Sequence, residues 1–136
     1  MTVHEIPGTV VVEFNDDARA MIDTWSNYLI KAPQFREAIL TKGLAYAKTH
    51  RARAWVMDAT RAKGAFPEEV QKLIETEVFK AFAAAGIKYF ITIKSTASTI
   101  TNMSIKSFIA HAGPSGIQML EVPDQSKAIA WLKEHP

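Results

Sequence analysis

The sequence predicts a single α/β domain, a sandwich in which helices pack on a mostly parallel sheet. Within residues 53–60, the apolar run 54–57 ends at Asp58 and is followed by a polar loop, which is typical of a buried central strand. After residue 32, helical and strand patterns alternate along the chain, which indicates parallel strands joined by crossover helices. Because 136 residues correspond to about one domain, we expect residues 1–136 to share one fold.

The N-terminal part predicts an antiparallel pair of strands followed by a helix. Residues 8–14 are rich in valine and predict the first strand. A turn signal at residues 15–17 leads into residues 18–25, which we interpret as the second strand, running against the first. From Pro33 to His50, apolar residues recur at helical spacing. This helix should cross over to the central strand.

The remaining chain repeats a helix and a strand. Pro67 and two following acidic residues begin the strongest predicted helix, which Gly86 should end. Strands are predicted at residues 87–94 and 116–122, and helices at residues 99–112 and 124–135. The predicted order is therefore ββαβαβαβα, with five strands and an antiparallel strand at the N-terminal edge.

Composition and charge exclude several classes of function. The chain carries 16 basic and 14 acidic residues that are interspersed, and its short cluster of Lys48, Arg51 and Arg53 is too small for a nucleic-acid-binding stripe. It has no cysteine, which excludes disulfides and thiolate metal sites. No apolar run approaches the ~18 residues of a membrane helix, and the N-terminus lacks the pattern of a signal peptide. We expect a cytoplasmic protein without a membrane span.

Polar side chains follow two of the predicted strands, at the end of the sheet where open α/β folds usually bind ligands. The candidate residues for an interaction or ligand-binding face at this end are Asp58, Thr60, Arg61, Lys63, Lys94, Ser95, Thr96 and Ser98. Asp124 precedes the last helix at the same end.

Two of these groups have alternative interpretations. Asp58 could act as a general base or respond to phosphate, but we favour a side chain that hydrogen-bonds the turn after its strand. The hydroxyls of residues 95–99 could hold an anion beside Lys94 at a helix N-terminus. We favour helix capping, because the segment lacks the glycines of a phosphate-binding loop.

No arrangement of residues in the sequence indicates catalysis or a metal site. The four histidines are scattered and have no zinc-ligand spacing. We find no nucleophile elbow, catalytic-triad signature or Rossmann glycine pattern. We therefore expect a protein that is not an enzyme and has no cofactor.

Aromatic residues give two further hypotheses. Seven of them could line a cavity for a lipid or another apolar molecule, although a role in the core is favoured: Phe35, Tyr46, Phe66, Phe79, Phe82, Phe90 and Phe108. Phe66 lies in a predicted loop, and Phe79 lies beside the apolar stripe of its helix. We expect both to be exposed and to form a protein-binding surface, unless another helix covers Phe79.

Several segments resemble one protein family. These are WVMD at residues 55–58, the helix after Pro67, AGIK at residues 85–88 and AIAWL at residues 128–132. The chain resembles the STAS or SpoIIAA-like domains of anti-sigma-factor antagonists, and the small bacterial STAS-like proteins related to CRAL-TRIO domains. This resemblance implies a SpoIIAA-like fold and a regulatory role. Antagonists with a phosphorylation switch carry Asp-Ser-Ser-Gly after the central strand, whereas here no serine lies between Asp58 and Pro67.

The sequence thus leads to a functional hypothesis. We expect a non-catalytic regulatory domain that binds a protein partner, as a monomer or a homodimer, through the loop from Asp58 to Phe66 and the helix that follows. The alternative is a small-molecule or lipid carrier. An enzyme ranks third and would require Asp58 and Lys94 to converge on a substrate.

Overall fold

The computed structural model describes residues 1–110 and 116–136. Six strands and four helices lie within them. The strands are β1 (Thr2–Ile6), β2 (Val10–Asn15), β3 (Ala20–Trp25), β4 (Ala54–Asp58), β5 (Tyr89–Ile93) and β6 (Gln118–Glu121). The helices are α1 (32–49), α2 (68–84), α3 (Thr99–Ile109) and α4 (Gln125–Glu134). Wider π-helical turns occur in α1 at Arg36–Gly43 and in α2 at Ile74–Val78.

The strands form one mixed sheet in the order β1-β2-β3-β4-β5-β6. β1 pairs antiparallel with β2, and β2 pairs antiparallel with β3. The remaining neighbours are parallel. The predicted α/β class and the antiparallel pairing of the first two predicted strands are confirmed. The predicted count of five strands is wrong, because Thr2–Ile6 adds an edge strand.

Helices cover the two faces of the sheet unequally. On one face, Trp25, Trp55 and Phe90 meet apolar residues of α1 and α2 in the larger core, which Ile105 of α3 joins. On the other face, the sheet packs against Ala128 and Leu132 of α4 in a smaller core. The central strands are therefore buried on both faces, and β4 is buried along its whole length, as the apolar run in the sequence predicts.

Helix ends follow the sequence signals closely. Gly86 has a left-handed φ of 93° after α2, and its N–H donates to the carbonyl of Ala83. The next N–H, of Ile87, donates to the carbonyl of Phe82, which completes a Schellman motif. The predicted end of α2 at Gly86 is confirmed. The predicted helix 99–112 is present as Thr99–Ile109, and residues 111 and 112 lie outside the described part of the chain.

No helix in the described ranges is long and apolar enough to cross a membrane.

Candidate functional site

Asp58 lies at the carboxyl end of β4, where its carboxylate joins two loops. One oxygen accepts hydrogen bonds from the backbone N–H of Thr60 at 2.9 Å and from its hydroxyl at 2.6 Å. The other oxygen accepts from the side-chain amide of Gln125 at 2.6 Å. The first pair is the turn-stabilising geometry favoured from the sequence, and the second anchors the start of α4. Both carboxylate oxygens are engaged within the fold.

Ser95 organises the turn between β5 and α3. Its hydroxyl donates to the carbonyl of Ala62 at 2.8 Å and accepts from the N–H groups of Ala97 and Ser98, each at 3.0 Å. The side-chain amide of Asn102 bonds both backbone groups of Ser95 at 2.8 Å. This buried serine therefore connects the loops after β4 and β5.

The neighbouring hydroxyls have similar structural roles. Thr96 donates its hydroxyl proton to the carbonyl of Thr60 at 3.1 Å. Ser98 accepts the N–H of Thr101 at 3.1 Å, which is the capping role favoured from the sequence. Thr101 is buried, and its hydroxyl donates to the carbonyl of Gly64 at 2.5 Å. The N-terminus of α3 is therefore attached to the loop after β4.

The three candidate cations lie at this end but do not converge on Asp58. Lys94 forms an exposed ion pair with Glu121, with 3.3 Å between nitrogen and oxygen. Arg61 and Lys63 are exposed, and neither forms an ion pair with any residue that the structure describes. Asp58 and Lys94 thus have separate partners within the fold.

Phe66 and Phe79 lie in the core, which contradicts the expected exposed surface. Their exposed fractions are 5% and 4%. Phe66 stacks on Tyr28 with ring centroids 4.0 Å apart, and Phe79 meets Phe90 edge to face at 5.2 Å. For Phe66 the prediction is wrong because its loop turns inward. Burying the apolar ring against other rings is more favourable than exposing it to water.

Other apolar side chains are exposed instead. Leu29, Ile100 and Met103 are 67%, 62% and 66% exposed. Leu29 lies over Gly64, since a Cβ added to that glycine would be 3.4 Å from the Leu29 Cγ atom. Gly64 also accepts the hydrogen bond from Thr101, the residue after Ile100. We refer to Leu29, Ile100 and Met103 as the carboxyl-end surface, because they surround loops that follow β3, β4 and β5.

Most of the aromatic residues named above surround one internal cavity of about 20 Å³. Five of the seven line it: Phe35, Phe66, Phe79, Phe82 and Phe90. Tyr46 lies elsewhere, against Phe14 and His50, and the side chain of Phe108 lies outside the described part. The cavity has room for about one water molecule, far less than the ~300 Å³ of a small ligand site.

Asp23 also lines this cavity and is a residue that the sequence did not single out. Its two carboxylate oxygens accept from the indole N–H groups of Trp25 at 2.9 Å and Trp55 at 2.7 Å. Burial raises the pKa of Asp23 to about 7, although the two indole hydrogen bonds lower the pKa and nearby Asp58 raises it slightly. The available signal was the spacing of two residues between Asp23 and Trp25, which places both on one face of β3.

Within residues 1–110 and 116–136, no group of three histidine or acidic side chains is arranged to hold a metal ion. No family model matches the sequence, and neither the curated proteins nor the solved structures contain a significant match.

Proposed function

We propose that this domain is a non-catalytic regulatory module that binds a partner protein through the carboxyl-end surface. The observation that carries the proposal is the two-thirds exposure of Leu29, Ile100 and Met103 on backbone that the fold holds in place. Large apolar side chains grouped on a surface are a common feature of protein-binding sites.

The backbone around this surface is fixed by hydrogen bonds. The N–H of Leu29 donates to the Asn27 side chain at 2.9 Å, and the N–H of Tyr28 donates to the carbonyl of Lys63 at 2.9 Å. Ile100 and Met103 lie one turn apart on α3, so their side chains are neighbours on the helix. Binding would therefore require little ordering of the backbone, which favours affinity.

Polar residues at the same end also support binding rather than chemistry. Asp58 and Ser95 have partners for their side-chain oxygens within the fold. These contacts connect the loops that present the apolar residues. The polar groups thus act as structural supports for a contact surface.

The charge around the surface indicates the kind of partner. Arg61 and Lys63 lie on the loop of Gly64, and Lys106 lies one turn beyond Met103. None of the three forms an ion pair with a described residue. An apolar segment with acidic flanks would complement these cations. A second copy of the chain would bring like charges together, so we favour a different protein.

The resemblance of the sequence to STAS and SpoIIAA-like domains is consistent with this proposal. It implies a SpoIIAA-like topology and a cytoplasmic, bacterial, regulatory role through protein contacts. The β1 strand would then be an addition at the edge of that topology.

Peptide selection from a random displayed library tests the proposed surface. Peptides selected on the wild-type domain should combine apolar and acidic residues, and should bind an Ile100→Ser, Met103→Ser variant about tenfold more weakly or worse. The matched control is Ala84→Ser, an exposed apolar position at the end of α2, which should bind like the wild type. All three proteins should unfold at similar temperatures because the changed residues are exposed.

Two results would contradict the proposal. Selected peptides that bind both variants equally would show that the surface is not the contact site. A wild-type dimer in sedimentation equilibrium that the double substitution dissociates would identify a second copy as the partner.

A carrier of small apolar molecules is the second candidate, and the aromatic lining of the cavity, rather than its volume, favours it. Five phenylalanines and two tryptophans surround one space together with a protonatable acid, Asp23. The space of about 20 Å³ would have to expand to admit a ligand. Native mass spectrometry of protein purified from its own host tests this function, because a carrier should retain a small molecule, whereas an interaction module should appear without one.

A further inference from the structure

A basic cleft lies at the opposite end of the sheet, where the parallel strands begin. Its volume is about 530 Å³, within the usual range of ~300–1,000 Å³ for small-molecule sites. Five cationic residues line it together with one acidic side chain, Asp17: Arg19, Lys48, Arg51, Arg53 and Lys88.

Arg53 has a structural role in this cleft. Its guanidinium donates to the carbonyl oxygens of Ala18 at 3.2 Å, of Leu132 at 2.5 Å and of His135. These bonds connect the start of β4 to the end of α4. Arg53 therefore supplies a positive charge at a fixed position in the wall of the cleft.

The other four cations are exposed and free to bind a ligand. In the part of the chain that the structure describes, the side chains of Arg19, Lys48, Arg51 and Lys88 form no hydrogen bond or ion pair. Asp17, by contrast, faces Lys133 at 4.0 Å. The positive charge of the cleft is therefore largely uncompensated.

Arg19 and Arg51 occupy backbone positions that favour glycine. They are the non-glycine residues with positive φ among those described, with values of 52° and 53°. Arg51 follows α1 in a Schellman motif, in which its own N–H donates to the carbonyl of Lys48 and the N–H of Ala52 donates to that of Ala47. A side chain with a Cβ is disfavoured in this left-handed conformation.

The end of α2 provides an internal comparison. It also lines the cleft and closes with a Schellman motif, but there the left-handed position is Gly86. The fold thus uses glycine for this motif at one helix end and arginine at the other. Glycine would be more stable than arginine in this left-handed conformation. What arginine adds over glycine at position 51 is a positive side chain over the cleft.

Helix dipoles do not account for all of this charge. The carbonyl ends of α1, α2 and α4 lie at the cleft, and each carries about half a negative charge. Together with Asp17, they amount to less than the five positive charges. The cleft therefore keeps a positive surplus that a bound anion would neutralise.

We propose that this cleft binds a small molecule that carries phosphate groups. Arginine side chains match the geometry of phosphate oxygens with paired N–H donors, and lysines add charge. The cleft is compact and bounded by three helix ends, which fits a small ligand better than the long basic stripe that nucleic acid requires. The site is separate from the carboxyl-end surface, so the two proposals stand or fall independently.

Titration with inorganic pyrophosphate and with ADP, followed by calorimetry at constant ionic strength, tests the proposal. Arg19→Gly together with Arg51→Gly should weaken binding by about tenfold or more. The same variant should unfold at an equal or higher temperature, because glycine suits both backbone positions. The matched control, Lys31→Ala with Lys72→Ala, removes two exposed cations away from the cleft and should bind as the wild type does.

Three outcomes would overturn the proposal. The wild type could bind neither pyrophosphate nor ADP. Both double variants could lose affinity equally, which would make net charge the cause. Finally, the protein could bind vesicles that contain phosphatidylinositol phosphate but neither soluble compound, which would make a lipid headgroup the ligand.

Discussion

Replacing Asp23 with asparagine should change how the stability of the fold depends on pH. The pKa of Asp23 is about 7 in the folded protein, compared with an ordinary value of 3.8. Between these values the folded state keeps a proton that the unfolded state has released. The free energy of unfolding should therefore fall as pH rises from about 4 to 7, and then level off.

The size of this effect follows from the separation of the two pKa values. Each unit corresponds to about 1.4 kcal/mol, so the wild type should lose on the order of 4 kcal/mol of stability across the window. Asparagine carries no titrating proton and removes this loss. It also has a single acceptor oxygen, so one of the indole N–H groups of Trp25 and Trp55 loses its partner, which costs about 1–3 kcal/mol at every pH.

Urea unfolding at several pH values between 4 and 8 measures this effect. The difference in unfolding free energy, Asp23→Asn minus wild type, should rise by about 4 kcal/mol between pH 4 and 7 and then stay constant. Asp16→Asn is the matched control, because Asp16 is an exposed acid whose removal should leave the pH profile almost unchanged. Parallel curves for wild type and Asp23→Asn would refute the reasoning.

Further substitutions test how the fold is held together. Gly43→Ala should destabilise the fold by about 1–3 kcal/mol in urea unfolding, because the added Cβ would lie 2.9 Å from the Trp55 ring. Alanine normally favours a helix over glycine, so a gain in stability would show that the Trp55 ring moves aside. Arg53→Ala should cost about 2–4 kcal/mol through its three carbonyl contacts, and Arg53→Lys should recover only part of this loss; full recovery by lysine would show that charge alone matters. Thr101→Val should cost about 1–2 kcal/mol by leaving the carbonyl of Gly64 without its buried donor, whereas thermal unfolding unchanged from wild type would show that water replaces the bond.

The sequence predicted the interior elements well because burial leaves a strong local pattern. β4 is apolar on both faces, and α2 combines an apolar stripe with acidic residues at its start and Gly86 after its end. These signals act within a few residues, so they can be recognised without knowledge of the rest of the chain.

Features that depend on distant contacts were missed. β1 is exposed or half-buried along its length, so its sequence lacks a burial pattern, and its pairing with β2 determines its structure. Asp23 was overlooked because Ala20 and Ile22 suggested one buried face for β3. The strand is buried on both faces, since α4 covers the face of Ala20 and Ile22, while α1 and α2 cover the face of Asp23 in the larger core.

The position of Phe66 illustrates the same limit in the candidate site. Local sequence places it in a loop, where exposure is the usual expectation. Its burial depends on the rings of Tyr28 and Trp25, which belong to a segment more than thirty residues earlier in the chain. These ring contacts bury Phe66 and leave Leu29 exposed. The proposed protein-binding surface therefore includes Leu29 instead of Phe66.

The two ends of the sheet differ in how their polar residues are used. At the carboxyl end, where α/β folds usually bind ligands, Asp58 and Ser95 are engaged in contacts between loops. At the amino end, the guanidinium groups of Arg19 and Arg51 form no ion pair with a described residue, and both residues adopt an unfavourable backbone conformation. If stability alone had determined these positions, glycine would serve better at both. Arginine at both positions is therefore best explained by its positive charge. This charge supports an anionic ligand at the amino end of the sheet.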